Sequence, residues 1–159
     1  MIRLGVLTVS TKGAAGQRED TSGDAIVAWA AGHGYEVVHR EMVSDDTAAI
    51  ARLLAMWADG GEVDVILTTG GTGLTTQDLT PEATRAVLER ETPGIAENIR
   101  ATSWPVLPRA ALSRGIAGVR GATLIVNLPG STSGVKDGLN ALQQFVVHAV
   151  ELLRGKTEH

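Results

Sequence analysis

Apolar residues along the chain come alternately in short dense runs and at helical spacing, the pattern of strands and helices taking turns. Arg3 to Val9 reads as a buried strand, and Ser10 to Asp20 as a glycine-bearing loop of mixed charge. Ile26, Trp29 and Ala30 then share one helical face behind a cap at Thr21 or Ser22, and Gly32 with Gly34 can end that helix. Tyr35 to Val43 is a second strand. Ser44 or Asp45 caps the next helix, whose Ile50, Leu53, Leu54 and Trp57 precede Gly60-Gly61. Val63 to Leu67 is a central strand that runs directly into Thr68-Thr69-Gly70-Gly71-Thr72-Gly73.

Thr80-Pro81 opens a helix with a cap and a first-turn proline, carrying Ala83, Val87 and Leu88 inward. Another segment runs from Pro93 through Ser103. Two short strands, Ile116 to Arg120 and Thr123 to Asn127, flank Gly121. Val135, Leu139, Leu142, Val146, Ala149 and Leu153 form one stripe on a last helix. Strands alternating with helices predict an α/β domain, a three-layer αβα sandwich with a mainly parallel sheet. Residues 1–155 read as that single domain and 156–159 as a C-terminal tail. Such sheets bind ligands outside the carboxyl ends of their strands.

Composition narrows the function. At 159 residues, a single domain buries roughly two thirds of its unfolded surface. Cysteine is absent, which excludes disulfides, thiolate zinc sites and a cysteine nucleophile. With a formal net charge of −4, no basic run and 3% aromatic residues, the chain lacks the features that nucleic-acid binding uses. No signal peptide or bilayer-spanning run is apparent, so the expectation is a cytoplasmic protein without membrane contact. The 19 glycines exceed the average share of ~7% and point to close backbone approach somewhere.

The turn after Leu67 is where an open α/β sheet places its ligand. Its glycines let backbone N–H groups approach an anion, with the helix opening at Pro81 adding a dipole end. It is neither a P-loop nor a dinucleotide fingerprint. A tight strand-to-helix connector is the plainer alternative. Asp78 sharpens the choice, because a carboxylate beside an anion repels it unless a cation bridges them, and magnesium binds through one or two carboxylates plus substrate phosphates. Asp45, ending the second strand, is a second carboxylate for the same crevice or else a helix cap. Asp78 is alternatively an Asx-turn residue.

Other residues carry less. His33, His39, His148 and His159 are scattered without metal-ligand spacing. Ser10, Ser22 and Ser113 have no recognisable histidine partner. Trp29, Trp57 and Trp104 read as core or subunit contacts. Arg100, Arg109, Arg114 and Arg120 form no patch, although Arg114 stands beside Ser113.

The string from Thr68 to Gly73, followed by Asp78-Leu79-Thr80-Pro81-Glu82-Ala83-Thr84, resembles the signature of the MogA/MoaB-type molybdenum-cofactor biosynthesis family. Ala111-Leu112-Ser113-Arg114 and Asn127-Leu128-Pro129-Gly130-Ser131 are similar to its later motifs, and Asp20-x-Ser22-Gly23 and Val43-x-Asp45 to its earlier ones. The resemblance implies a molybdopterin adenylyltransferase that uses ATP and magnesium, releases pyrophosphate and forms a homotrimer, with hand-over of product to a molybdate-insertion enzyme. It implies Asp45 and Asp78 as carboxylates acting on metal and substrate. It further implies substrate binding by Thr68, Thr69, Gly70, Gly71, Thr72, Gly73, Ser113, Asn127, Pro129, Gly130 and Ser131. Two departures from the family pattern are Gln77, where members often carry arginine, and Thr132, where they usually carry proline. A pterin-binding relative without transferase activity and a nucleotide pyrophosphate hydrolase are the alternative readings.

Overall fold

Side-chain alternation on adjacent strands sets the architecture. The computed structural model describes residues 1–157; the last two residues of the tail, and with them His159, lie outside the described residues. In β1 (Arg3–Val9), Leu4 and Val6 turn to one face while Leu7 and Val9 turn to the other, and all four are buried. The same alternation recurs in β3 (Val65–Thr69) and β6 (Thr123–Leu128), where Val65, Leu67, Leu124 and Val126 oppose Ile66 and Ile125. Strands apolar on both faces need cover on both.

That cover comes from two sets of helices. One core holds residues of α2 (Thr21–Gly32), α5 (Pro93–Ser103), α6 (Thr132–Gln143) and α7 (Val146–Leu153). The other holds residues of α3 (Thr47–Asp59) and α4 (Thr80–Val87). The result is the three-layer αβα sandwich. With β2 (Glu36–Val43), β4 (Arg90–Glu91) and β5 (Ala117–Arg120) added, the sheet order is β2-β1-β3-β6-β5-β4. β2, β1, β3 and β6 are parallel, whereas β5 runs antiparallel to β6 and β4 antiparallel to β5. Gly5 is required on β1 because a Cβ there would stand 2.9 Å from the Trp57 ring, which packs against the sheet.

Several local expectations are corrected. The Ser10–Asp20 loop contains a single helical turn, α1 (Thr11–Ala14), with the Ser10 hydroxyl accepting from the Gly13 N–H at 3.0 Å. Asp20, not Thr21 or Ser22, caps α2 by accepting from the Gly23 N–H at 2.9 Å, and Asp46, not Ser44 or Asp45, caps α3 through the Ala49 N–H at 3.0 Å. In each case neighbouring residues have similar capping chemistry, and the backbone angle decides which oxygen reaches the free N–H. Thr80 is the first residue of α4, not its cap. The last helix is broken at Gln144–Phe145, yet Leu142 and Val146 stay buried on one face, so the stripe survives the break.

The start of the sheet is fastened by one buried carboxylate. Asp64, 6% exposed at its side chain, accepts from the Arg3 backbone N–H (2.9 Å), Arg3 Nε (3.2 Å) and Arg154 Nη2 (2.7 Å). Burial alone would push this carboxyl up, but hydrogen bonds from Arg154 and Arg3 outweigh it and hold the group below its ordinary range. A carboxyl lowered on folding adds stability that is fully present above its unfolded value and is lost as pH falls through the folded one. Asp64→Asn is expected to cost about 2 kcal/mol at neutral pH. It should also flatten the acid limb of stability below pH 3.8, the ordinary value. Urea midpoints across acid pH check both; parallel wild-type and variant curves would remove the linkage.

A two-lobed candidate active site

Where the carboxyl ends of β1, β3 and β6 come together, the backbones touch. A Cβ on Gly70 would overlap the Val9 carbonyl, and its φ of 95° lies in the left-handed region that favours glycine. The Gly70 N–H donates to the Leu128 carbonyl (3.3 Å), the Thr69 hydroxyl to the Pro129 carbonyl (2.7 Å), and the buried Thr80 hydroxyl to the Gly70 carbonyl (2.9 Å). Gly71 is also left-handed, at φ 67°, and a Cβ there would collide with the Thr80 hydroxyl.

Two clefts open from this junction. One, about 290 Å³, is polar and lies over the end of β1, lined by Ser10, Asp20, Asp45, Gly70 and Arg18 among others. The second, about 340 Å³, is more apolar, with Thr72, Leu107, Leu112, Ser113, Pro129 and Ser131 in its walls. Gly71, Asp78 and Gly130 belong to both. A ligand in either cleft therefore meets its neighbour across the same three residues.

The two carboxylates singled out by sequence, Asp45 and Asp78, both reach the polar cleft. Each is held by one oxygen. Asp45 Oδ2 accepts from the Thr11 hydroxyl (2.8 Å) and N–H (3.2 Å), and the Asp45 N–H donates back to Thr11 Oγ1 (3.1 Å). Asp78 Oδ2 accepts from the Thr75 N–H (3.0 Å) and hydroxyl (2.8 Å). The Asp78 contact runs back three residues and is not an Asx turn, and Asp45 does not cap α3. In both groups Oδ1 is left without a hydrogen bond among the described residues. The donor set is thus oxygen-only and built from two carboxylates, which suits magnesium among the common ions because it keeps several waters. Among the described residues no cluster of three or more His, Cys, Asp or Glu could hold a metal by itself.

The remaining residues divide by depth. Thr69, Gly70, Gly71, Thr72, Gly73, Ser113, Pro129, Gly130 and Ser131 line one cleft or both. Thr68 and Asn127 do not: they face each other across the β3–β6 pairing, both buried. Asn127 Nδ2 donates to Thr68 Oγ1 and Thr84 Oγ1, each at 3.0 Å, while its Oδ1 accepts from the Ile116 N–H at 3.1 Å. These bonds join the sheet to α4 directly beneath the turn.

Asp20, within Asp20-x-Ser22-Gly23, is a site residue that the sequence does not single out. Its carboxylate accepts from Thr8 Oγ1 (3.0 Å) and Arg40 Nη2 (3.1 Å) as well as capping α2, so it is a neutralised wall of the polar cleft. Leu107 and Leu112 in the apolar cleft were missed too, because they flank and end a 3₁₀ turn (Pro108–Leu112) that has no periodic signal. The family departure at Thr132 falls on the first position of α6. An N–H at that position has no intrahelical partner whichever residue carries it, and the threonine hydroxyl pairs with Thr21 Oγ1 at 3.1 Å.

An open α/β sheet with a glycine turn at its switch point and paired clefts around two carboxylates defines a small-molecule-binding protein of the doubly wound class. A family described as "Probable molybdopterin binding domain" matches residues 5–149, and the chain belongs to that family, with the MogA and MoaB proteins. It is 37% identical over 156 residues to the molybdopterin adenylyltransferase of Helicobacter pylori strain J99, covering 97% of this chain and 89% of that protein. The solved structure of the molybdopterin biosynthesis enzyme MoaB from Thermus thermophilus superposes with a TM-score of 0.92 at 51% identity, covering 98% of each chain. The Drosophila melanogaster molybdenum cofactor synthesis protein cinnamon is 42% identical over 154 residues, which is 96% of this chain but 26% of that longer protein. Homologues so named place the chain in molybdenum cofactor biosynthesis.

Two glycines at the junction separate backbone demand from ligand contact. Gly71→Ala forces a side chain into the left-handed region and against Thr80, and is expected to cost about 1–2 kcal/mol, several degrees in Tm. Gly130→Ala places its methyl 3.4 Å from Gly70 Cα, an ordinary contact, on the wall that both clefts share. It should leave Tm within about a degree of wild type. Thermal melts of the two variants check the contrast, and equal midpoints would refute it.

Proposed function

We propose that this chain transfers the adenylyl group of ATP to molybdopterin with release of pyrophosphate. The observation that carries the reading is the pair of clefts meeting at Gly71, Asp78 and Gly130. Transfer between two bound substrates needs two compartments whose reacting atoms meet at one wall. The polar cleft suits a polyphosphate and the apolar cleft an aromatic ring system. An oxygen of the molybdopterin terminal phosphate attacks the α-phosphorus of ATP; the new P–O bond forms as the bond to the β-phosphate bridging oxygen breaks, and that oxygen leaves on pyrophosphate. No covalent bond to the protein is required, so the work of the chain is positioning and charge neutralisation.

Four carboxylates, Glu19, Asp20, Asp45 and Asp78, line the polar cleft. Arg40 offsets Asp20, and Arg18 contributes one guanidinium to the lining. An anionic substrate therefore enters with a cation. The free Oδ1 atoms of Asp45 and Asp78 would hold magnesium, which would neutralise phosphate charge when bound. Backbone N–H groups of the glycine turn orient the phosphates, and Ser113 and Ser131 offer hydroxyls to the ligand in the apolar cleft. The same reading includes a cytoplasmic homotrimer. The assembly is supported by the exposed apolar residues Trp104 and Val106 (47% and 89%) beside the apolar cleft and Leu112 (54%) in its wall.

Incubation with magnesium, ATP and molybdopterin should release pyrophosphate in step with consumption of pterin. Binding without release would leave a pterin carrier, and release without pterin a hydrolase. Asp78→Asn keeps an oxygen to accept from Thr75, so its melting temperature should stay near wild type. Its single-turnover rate is expected to fall by about two orders of magnitude or more. Retained turnover with a lowered midpoint would assign Asp78 a purely structural role. A trimer should bury on the order of 2,000 Å² or more in total; light scattering that returns a monomer mass at micromolar protein would remove it.

A further inference from the structure

The turn that separates the clefts makes few backbone-to-backbone hydrogen bonds within itself, its other internal bonds being those of the Thr75, Asp78 and Thr80 side chains. Between Gly70 and Thr80 the backbone closes through the Asp78 N–H to the Thr75 carbonyl and the Thr80 N–H to the Gly71 carbonyl, both at 3.1 Å. Its outward carbonyls are instead collected by one residue. The Arg114 backbone N–H donates to the Thr72 carbonyl (2.8 Å), its Nε to the Gly73 carbonyl (2.8 Å) and its Nη2 to the Asp78 carbonyl (2.7 Å). The rest of the fork closes on Glu82 of α4, with Nη1 2.7 Å from Oε2 and Nη2 3.1 Å from Oε1. That pairing holds the Glu82 carboxyl below its ordinary range.

Arg114 lines neither cleft, so it grips the turn from behind. The segment that carries it is braced in turn: Arg100 Nη1 of α5 donates to the Gly115 carbonyl (2.7 Å) and the Ser113 carbonyl (3.2 Å). Two guanidiniums therefore connect α5, the 113–115 segment, the glycine turn and α4. The Asp78 carbonyl is held on one side while its carboxylate faces the clefts on the other.

We propose that Arg114 is the positioning residue of this site. By fixing the carbonyls of Thr72, Gly73 and Asp78, with Glu82 setting the plane of its fork, it fixes where the Asp78 carboxylate and the free N–H groups of the turn stand relative to substrate. The planar fork is essential to this, because donors must leave it toward two carbonyls and a carboxylate at once, and an ammonium cannot hold that geometry. The kinetic consequence rests on the adenylyl-transfer reading above; the structural one does not.

The test uses Arg114→Lys, Arg114→Ala and Glu82→Gln in the full chain. Loss of the clamp displaces the turn without removing a ligand contact, so kcat should fall about 10-fold for Arg114→Lys and about 100-fold for Arg114→Ala, while KM for ATP and for molybdopterin changes less than about threefold. Glu82→Gln keeps an acceptor oxygen and should fall only about threefold in kcat. Added guanidinium ion at millimolar concentration should restore part of the turnover of Arg114→Ala and none of the loss in Asp78→Asn. Amide exchange across residues 72–78 should quicken in both Arg114 variants while β3 stays protected. Wild-type kcat in Arg114→Lys, or a loss in Arg114→Ala no larger than its lowered folded fraction, would overturn the proposal. If wild type itself releases no pyrophosphate, the transfer reading fails, and exchange alone decides the clamp: faster exchange supports it and unchanged exchange overturns it.

Discussion

Residue 70 has no room for a side chain, and the rest of the site follows from that. With only hydrogen on its Cα, Gly70 lets the end of β3 lie against the Val9 carbonyl of β1 and the Gly130 backbone after β6. Three strand ends thereby meet in backbone contact at the point where the chain changes direction across the sheet. The clefts are the spaces left on either side of that contact. At Gly70, Gly71 and Gly130 the divide between them is backbone, so no side-chain rotamer sets their separation at that point.

Around this junction the polar groups are organised before any ligand arrives. Asp20, Asp45 and Asp78 each accept from a threonine hydroxyl, and Asp20 also from an arginine. The threonines sit on β1, on α1 and within the turn itself. Each carboxylate is therefore oriented by a different element, and no single local unfolding event frees all three. Fixed charges of this kind need little reorganisation as charge moves during reaction, which is the usual source of electrostatic rate enhancement.

Much of this arrangement is legible in the sequence. The strands ending at Val9 and Val43 and the run from Val63 to Leu67 are marked by β-branched and apolar density, and the glycine turn by its composition, although Thr68 and Thr69, read as part of that turn, belong to β3. Topology then does what spacing along the chain does not show: Asp45 follows β2 and Asp78 follows β3, and β1 lies between those strands, so both carboxylates overlook its end. Less legible were features decided by backbone angles among chemically similar neighbours, such as the caps at Asp20 and Asp46. The two-residue β4 is too short to show a period, and the 3₁₀ turn near Leu112 has none. Thr68 and Asn127 have the composition of ligand-binding residues, yet strand pairing turns them toward each other. Arg114 was placed beside the site by its neighbour Ser113, but the direction of its fork depends on contacts with residues 73, 78 and 82 that no local pattern encodes.

The Asp64 anchor bears on how this domain travels between proteins. Arg3 near one end and Arg154 near the other converge on the same carboxylate, and Arg154 Nη2 also donates to the Met1 carbonyl at 2.8 Å. Residues 1–3 and Arg154 are consequently held side by side at the amino ends of β1 and β3, opposite the strand ends that form the clefts. A unit whose ends adjoin can be spliced into a longer polypeptide as an insertion or a fused module without straining its core. In the long Drosophila relative, the stretch similar to this chain makes up 26% of the protein. A polypeptide joined near residues 1–3 or Arg154 would lie at the end of the sheet remote from the clefts.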